Sequence, residues 1–185
     1  MKFSKINING VVVIEPNVIK DQRGYFLESF NKEKFKKMID EVVFVQENES
    51  KSSKGVLRGL HFQKPPFTQA KLVRCIEGKV LDVSLDIRKG SPTYGIYHSV
   101  VLSKENKKQL FVPRGFAHGF LVLSDTAVFS YKVDNFYAPE HDAGIRWNDK
   151  ELNIEWGLEE CDVLISEKDM QLPFFSEFNS PFKLQ

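Results

Sequence analysis

The sequence is short of cysteine: among 185 residues there are two, Cys75 and Cys161, and neither lies in a Cys-x-x-Cys pair. A disulfide framework or a zinc ribbon is therefore excluded as the basis of the fold, and a reducing compartment is expected. No apolar run approaches the roughly 18 residues that span a bilayer. The opening stretch MKFSKINING also lacks the apolar core of a secretory signal. A cytoplasmic protein with no membrane partner is expected. An excess of one charge is missing too. Lys and Arg number 26 against 25 Asp and Glu, a net charge of +1, which gives no support for nucleic-acid binding but leaves room for a local basic pocket. Glycine-rich phosphate loops of the GxGxxG and GxxxxGK types are absent, which removes Rossmann and P-loop enzymes. With no repeat, low-complexity tract or linker, one domain over residues 1–185 is expected.

What is present is phenylalanine, 16 residues, with 11 glycines and 8 prolines. That mixture predicts short strands and turns. Strands are expected at Val11–Ile14, Tyr25–Phe30, Val42–Gln46, Val56–Phe62, Lys71–Ile76, Lys79–Leu85, Ile96–Leu102, Gln109–Val112, Phe120–Leu123 and Ala127–Val133. Leu81, Val83, Leu85 and Ile87 alternate with Asp82, Ser84, Asp86 and Arg88, the period of a strand. Asn31–Ile39 is the best helix, with Asn31 as cap and Phe35, Met38 and Ile39 on one face. After Tyr137 the pattern weakens into loops and short helix. The whole predicts an all-β antiparallel sandwich or barrel.

Chemistry-bearing residues gather in a few segments. In Gln46–Gln63, Arg58 and His61 flank Gly59-Leu60. Residues three apart on a regular strand face opposite ways, so a bulge at Gly59 is needed to bring both to one side. If the Lys71 strand pairs with the His61 strand, Lys71 lies near His61, where a cation stabilises an anion formed beside a general base. Pro113–Phe120 places His118 between two glycines, read as a turn between apolar strands. Tyr131 can donate a proton, and Asp169 can cap a turn or orient a histidine. Arg23 and Glu28 flank Gly24-Tyr25-Phe26, and cations beside rings suit a nucleotide. Each group has a plainer reading as a surface charge or a satisfied core residue. Metal-dependent cupin barrels use His-x-His with a downstream Glu and His. Here His61 is followed by Phe62-Gln63 and the other histidines are His98, His118 and His141, a poor ligand set.

Taken in order, Arg23-Gly-Tyr-Phe, Gln46-Glu-Asn-x-Ser, Arg58-Gly-Leu-His61-Phe-Gln, Gln69-Ala-Lys71-Leu-Val, Asp82-Val-x-x-Asp86-x-Arg88, Ser91-Pro-Thr-Tyr-Gly, Pro113-x-Gly-Phe-Ala-His118-Gly-Phe, Tyr131 and Ser166-Glu-Lys-Asp169 closely resemble the dTDP-4-dehydrorhamnose 3,5-epimerase family. The resemblance runs from about Val11 to Asp169. It implies a cupin-type jelly-roll barrel with few short helices, a homodimer, and no metal or other cofactor. The implied substrate is dTDP-4-dehydro-6-deoxy-D-glucose, inverted at C3 and C5 on the route to dTDP-L-rhamnose. By position, His61 resembles the family's general base, Tyr131 its proton donor and Asp169 the partner of the base, with Lys71 stabilising the enolate. Arg58 and His118 resemble groups around the sugar. Arg23, Phe26, Glu28, Gln46, Glu47, Asn48, Asp142 and Lys168 resemble substrate-binding positions, the Arg23–Glu28 region reaching the partner subunit's site. Glu47 stands where Asp is found in some members, and Asp142 where Glu is usual. Two competing readings remain: an epimerase acting at one carbon of a related nucleotide 4-keto sugar, and a non-catalytic sugar-nucleotide-binding cupin.

Overall fold

The computed structural model describes residues 1–39 and 41–184, apart from the side chain of Cys161. Along the chain run β1 (Lys2–Lys5), β2 (Val12–Glu15), β3 (Val18–Asp21), β4 (Gly24–Leu27), helix α1 (Lys32–Met38), β5 (Gln46–Ser53), β6 (Leu57–Gln63), β7 (Lys71–Glu77) and β8 (Lys79–Asp86). They are followed by β9 (Arg88–Lys89), β10 (Tyr97–Ser103), β11 (Gln109–Val112), β12 (Phe116–Val122), β13 (Thr126–Val133), β14 (Asp142–Gly144), helix α2 (Glu167–Met170) and β15 (Phe182–Lys183). Two antiparallel sheets form the body, in the orders β1-β2-β11-β7-β13-β5 and β10-β8-β12-β6-β14. Strands distant in sequence are neighbours in both, as in a jelly roll of cupin type.

Three apolar layers follow from the strand period. Between the sheets, Val73, Cys75, Leu110 and Phe129 meet Val80, Leu102, Phe116, Phe120 and Val122. Behind the five-stranded sheet, Leu57, Leu60, Val83, Leu85 and Leu121 are covered by Trp147, Trp156 and Phe182 of the C-terminal segment. Behind the six-stranded sheet, Val12, Ile14, Leu72 and Phe111 pack on Phe35 of α1. The Asn31 side chain accepts from the Lys34 N–H at 3.1 Å and starts that helix, a cap worth about 1 kcal/mol. Phe35 is 1% exposed, whereas Met38, expected on the same face, is 45% exposed.

The alternation in β8 sorts differently from a core-and-solvent pattern. Asp82, Ser84 and Asp86 are as buried as the apolar residues between them. The C-terminal segment covers the apolar face, so the polar face is turned into the barrel. Other expectations shift as well. No strand forms at 42–45; β5 begins at Gln46 and runs through the polar segment. β12 begins at Phe116, so His118 lies in a strand and is buried. β7 pairs with β11 and β13 rather than with the His61 strand.

Candidate active site

The cavity is lined by residues of β6 and β12 from one sheet and of β7 and β13 from the other. Its shape starts from a bulge. His118 pairs with His61, but Phe120 pairs with Arg58, so β6 carries one extra residue at Gly59-Leu60. Gly59 has φ +119°, and a Cβ there would stand 2.6 Å from the Gly119 Cα, a conformation and an approach that only glycine tolerates. Gly119 answers from β12, where a Cβ would come 2.7 Å from the Arg58 carbonyl oxygen. The bulge turns Arg58 and His61 to the same side, and both line the cavity.

His61 Nε2 lies 2.7 Å from Asp169 Oδ1. Asp169 is held in turn by the Gly59 N–H at 3.2 Å on Oδ2, and its own N–H donates to Ser166 Oγ at 3.1 Å, the N-cap of α2. Burial pushes this carboxyl up, but hydrogen bonds from His61, the Gly59 amide and Ser166 outweigh it and hold Asp169 below the ordinary carboxylate range. A carboxylate accepting from Nε2–H fixes the tautomer and leaves Nδ1 as the basic nitrogen.

Lys71 reaches across from the opposite sheet and donates from Nζ to the His61 carbonyl at 3.5 Å. The nearness anticipated from sequence arises across the sandwich, not between paired strands. Burial pushes the Lys71 ammonium down to about 8, against the pull of Asp142 and Asp82. Tyr131, on β13, lines the same cavity. Burial raises its phenol above the ordinary value, opposed by Asn48 and Arg58, so it stays protonated at neutral pH. Arg58 donates from Nε and Nη2 to Ser52 Oγ at 3.2 and 3.1 Å. His118 Nε2 lies 3.0 Å from both oxygens of Asp82, which is fully buried.

Two chambers, of about 530 and 350 Å³, share His61, Lys71 and Tyr131. The larger adds Arg58, His118, Lys168 and Asp169. The smaller adds Gln46, Asn48, Tyr137 and Asp142. Gln46 Nε2 donates to Asn48 Oδ1 at 2.9 Å. Lys168 forms an ion pair with Asp142, which also accepts from the Tyr137 hydroxyl at 3.3 Å. The pairing with Asp142 raises the Lys168 ammonium.

Four sequence-predicted positions do not reach these chambers within the chain. Arg23 sits at the turn of the β3–β4 hairpin, 90% exposed and bound to Asp21. Phe26, on the same hairpin, is 69% exposed. Glu28 pairs with Lys34 at 2.6 Å and accepts from Asn31 at 3.0 Å. Glu47 lies on the opposite face of β5 from Gln46 and Asn48, bound to Lys132 at 2.5 Å and Ser130 at 3.1 Å. Conversely, Asp82, Ser166 and Tyr137 belong to the site's structure without having been singled out as site residues. A carboxylate in the middle of an alternating apolar strand was the available signal for Asp82. Among the described residues, no group of three or more His, Cys, Asp or Glu side chains is arranged to hold a metal ion, and no helix is long and apolar enough to cross a membrane.

Comparison with known proteins identifies the family of the chain. Residues 5–177 match the family model of dTDP-4-dehydrorhamnose 3,5-epimerase. The dTDP-4-dehydrorhamnose 3,5-epimerase of Shigella flexneri is 53% identical over 171 residues, 92% of this chain and 93% of the relative. The crystal structure of the same enzyme from Elizabethkingia anophelis NUHP1 superposes with a TM-score of 0.91 at 51% identity, covering 96% of this chain and 97% of that one. The dTDP-6-deoxy-D-glucose-3,5-epimerase of Legionella pneumophila Philadelphia 1, in complex with dTDP-4-keto-L-rhamnose, superposes with a TM-score of 0.95 at 42% identity, covering 100% and 98%. The chain belongs to the dTDP-4-dehydrorhamnose 3,5-epimerase family and is an isomerase of the epimerase type.

Proposed function

We propose that the protein inverts C3 and C5 of dTDP-4-dehydro-6-deoxy-D-glucose to give dTDP-4-dehydro-L-rhamnose, with His61 as base and Tyr131 as acid. The observation that carries the reading is the convergence of the His61–Asp169 pair, Lys71 and Tyr131 on one cavity in a chain of this family. The C4 ketone acidifies the hydrogens on both neighbouring carbons. His61 Nδ1 takes one as a proton, and the electron pair moves onto the C4 oxygen as an enolate. Lys71, with Arg58, stabilises that oxygen; a donor of this kind is worth about 3–4 kcal/mol. Asp169 stabilises the imidazolium. Tyr131 returns a proton to the opposite face of the carbon, which inverts it, and solvent then resets both groups. The second carbon follows by the same exchange.

Gln46, Asn48, Lys168 and Asp142 surround the rest of the substrate, with His118 beside the sugar. Binding of a dTDP-sugar is supported by the ligand carried by the Legionella relative. The protein acts as a homodimer in which the β3–β4 hairpin brings Arg23, Phe26 and Glu28 to the partner's chamber. The exposure of Arg23 and Phe26, with that of Ile19 and Tyr25 on the same hairpin, supports this arrangement.

The test is proton NMR of the purified protein with dTDP-4-dehydro-6-deoxy-D-glucose. Formation of the L-configured 4-keto sugar, inverted at both carbons, is expected. Inversion at one carbon would replace the reading by a single-centre epimerase, and binding without turnover by a sugar-nucleotide-binding protein.

A further inference from the structure

Two buried polar atoms on the inner face of the five-stranded sheet have no protein partner, Ser84 Oγ on β8 and His98 Nε2 on β10. The two residues are direct cross-strand partners, so their side chains stand on the same face. That row continues in register through His118 on β12 to His61 on β6. Two residues before Ser84 on the same face of β8 lies Asp82, also fully buried. A carboxylate has about four acceptor positions. The hydrogen bond from His118 Nε2, shared at 3.0 Å between both oxygens, supplies a single proton to them. His98 is within electrostatic reach, because the attraction of Asp82 opposes the burial that lowers its imidazole below the ordinary histidine value. Three polar groups without full partners thus meet behind the catalytic chamber.

We propose that Ser84, His98 and Asp82 bind one buried water molecule, and that through it His98 acts as a positioning residue for His118. A buried water makes about three hydrogen bonds, which is what these groups lack. It accepts from the His98 Nε2–H, donates one proton to Asp82 and donates the other to Ser84 Oγ. Fixed on two sides, the Asp82 carboxylate holds the His118 imidazole at one angle in the wall of the larger chamber. His98 touches nothing that reacts; its influence passes through the water and Asp82.

The activity part of the test rests on the function proposed above, and the water site does not. A high-resolution crystal structure is expected to show a water within about 3.2 Å of Ser84 Oγ, His98 Nε2 and an Asp82 oxygen. A dry site, or Ser84 and His98 turned to bond each other, overturns the proposal. His98→Val is expected to lower kcat several-fold with KM unchanged. His98→Gln, whose amide can take the place of Nε2–H, is expected to restore it. Ser84→Ala added to His98→Val has no further effect, since both act through one water. Wild-type kcat in His98→Val, failure of His98→Gln to rescue, or additive losses would each contradict it. Should wild type fail to turn over the dTDP-sugar, the epimerase reading falls, and the crystallographic water alone decides this proposal.

Discussion

Two histidine–aspartate pairs stand side by side on β6 and β12, and they differ in how they are built. In the first, His61 is 30% exposed to the cavity and its partner Asp169 comes from a short helix 108 residues later in the chain. In the second, His118 and Asp82 lie on adjacent strands and are 7% and 0% exposed. The same two side chains are thus arranged once with an open nitrogen beside the chamber and once within the wall. A base must meet its substrate and exchange its proton with solvent, and the exposure of His61 to the cavity is what the proposed role requires. A group that fixes the shape of a pocket gains from rigid neighbours, and the second has them. The difference in exposure supports the proposed division, with proton transfer at His61–Asp169 and positioning at His118–Asp82.

The largest expected effect comes from His61→Ala. It is expected to lower kcat by about 10³-fold with little change in KM, within the range of lost general-base catalysis, measured by steady-state assay. A similar loss from His118→Ala would erase the distinction between the pairs. Lys71→Met sharpens it from the opposite side. Its kcat is expected to fall by about 10²–10³-fold, yet its thermal stability should rise. A buried ammonium whose pKa is depressed to about 8 destabilises the fold at neutral pH. Between about 8 and the ordinary lysine value near 10.5 the unfolded chain binds more protons, so wild-type stability rises with pH across that window. The advantage of Lys71→Met should therefore be greatest below pH 8 and shrink above it, read from melting curves.

Asp169→Asn is expected to reduce kcat by about 10²-fold, because the amide no longer selects the Nε2–H tautomer. Asp169 has a depressed pKa, so its contribution to stability is present above the ordinary carboxylate value. That contribution is lost as pH falls through the lower folded value. The stability gap between wild type and Asp169→Asn should accordingly close in acid. The smallest effect on rate is expected from Asp82→Asn, about tenfold or less, with a stability loss of about 1–3 kcal/mol from the disturbed buried hydrogen bond. Urea unfolding and kcat together would check it.

Much of this architecture is legible in the sequence, and the exceptions have physical causes. The strands with apolar, β-branched cores, such as β8 and β13, announce themselves by their period. β5 does not: Gln46, Asn48 and Ser50 face the polar chamber side, while Glu47 bonds Ser130 and Lys132 on the other. With neither face apolar, alternation carries no signal. His118 resembles a turn residue because of its flanking glycines, but Gly119 is required within a strand by the close approach of β6. The bulge that unites Arg58 with His61 is legible from Gly59 itself. Asp169, far along the chain, is legible as the partner of His61 only through the ordered resemblance, and Asp82 escapes notice as the partner of His118 because it alternates with apolar residues in β8 just as Ser84 and Asp86 do. The hairpin residues Arg23, Phe26 and Glu28 find no chamber within their own chain, and no local pattern reveals what a second copy would supply.

The assignment of the two pairs is tested most directly by deuterium wash-in at C3 and C5 of the bound sugar, followed by proton NMR in deuterium oxide. The account predicts that wash-in at both carbons disappears in His61→Ala and continues, more slowly, in Asp82→Asn. Persistence of exchange in His61→Ala, or its complete loss in Asp82→Asn, would contradict it.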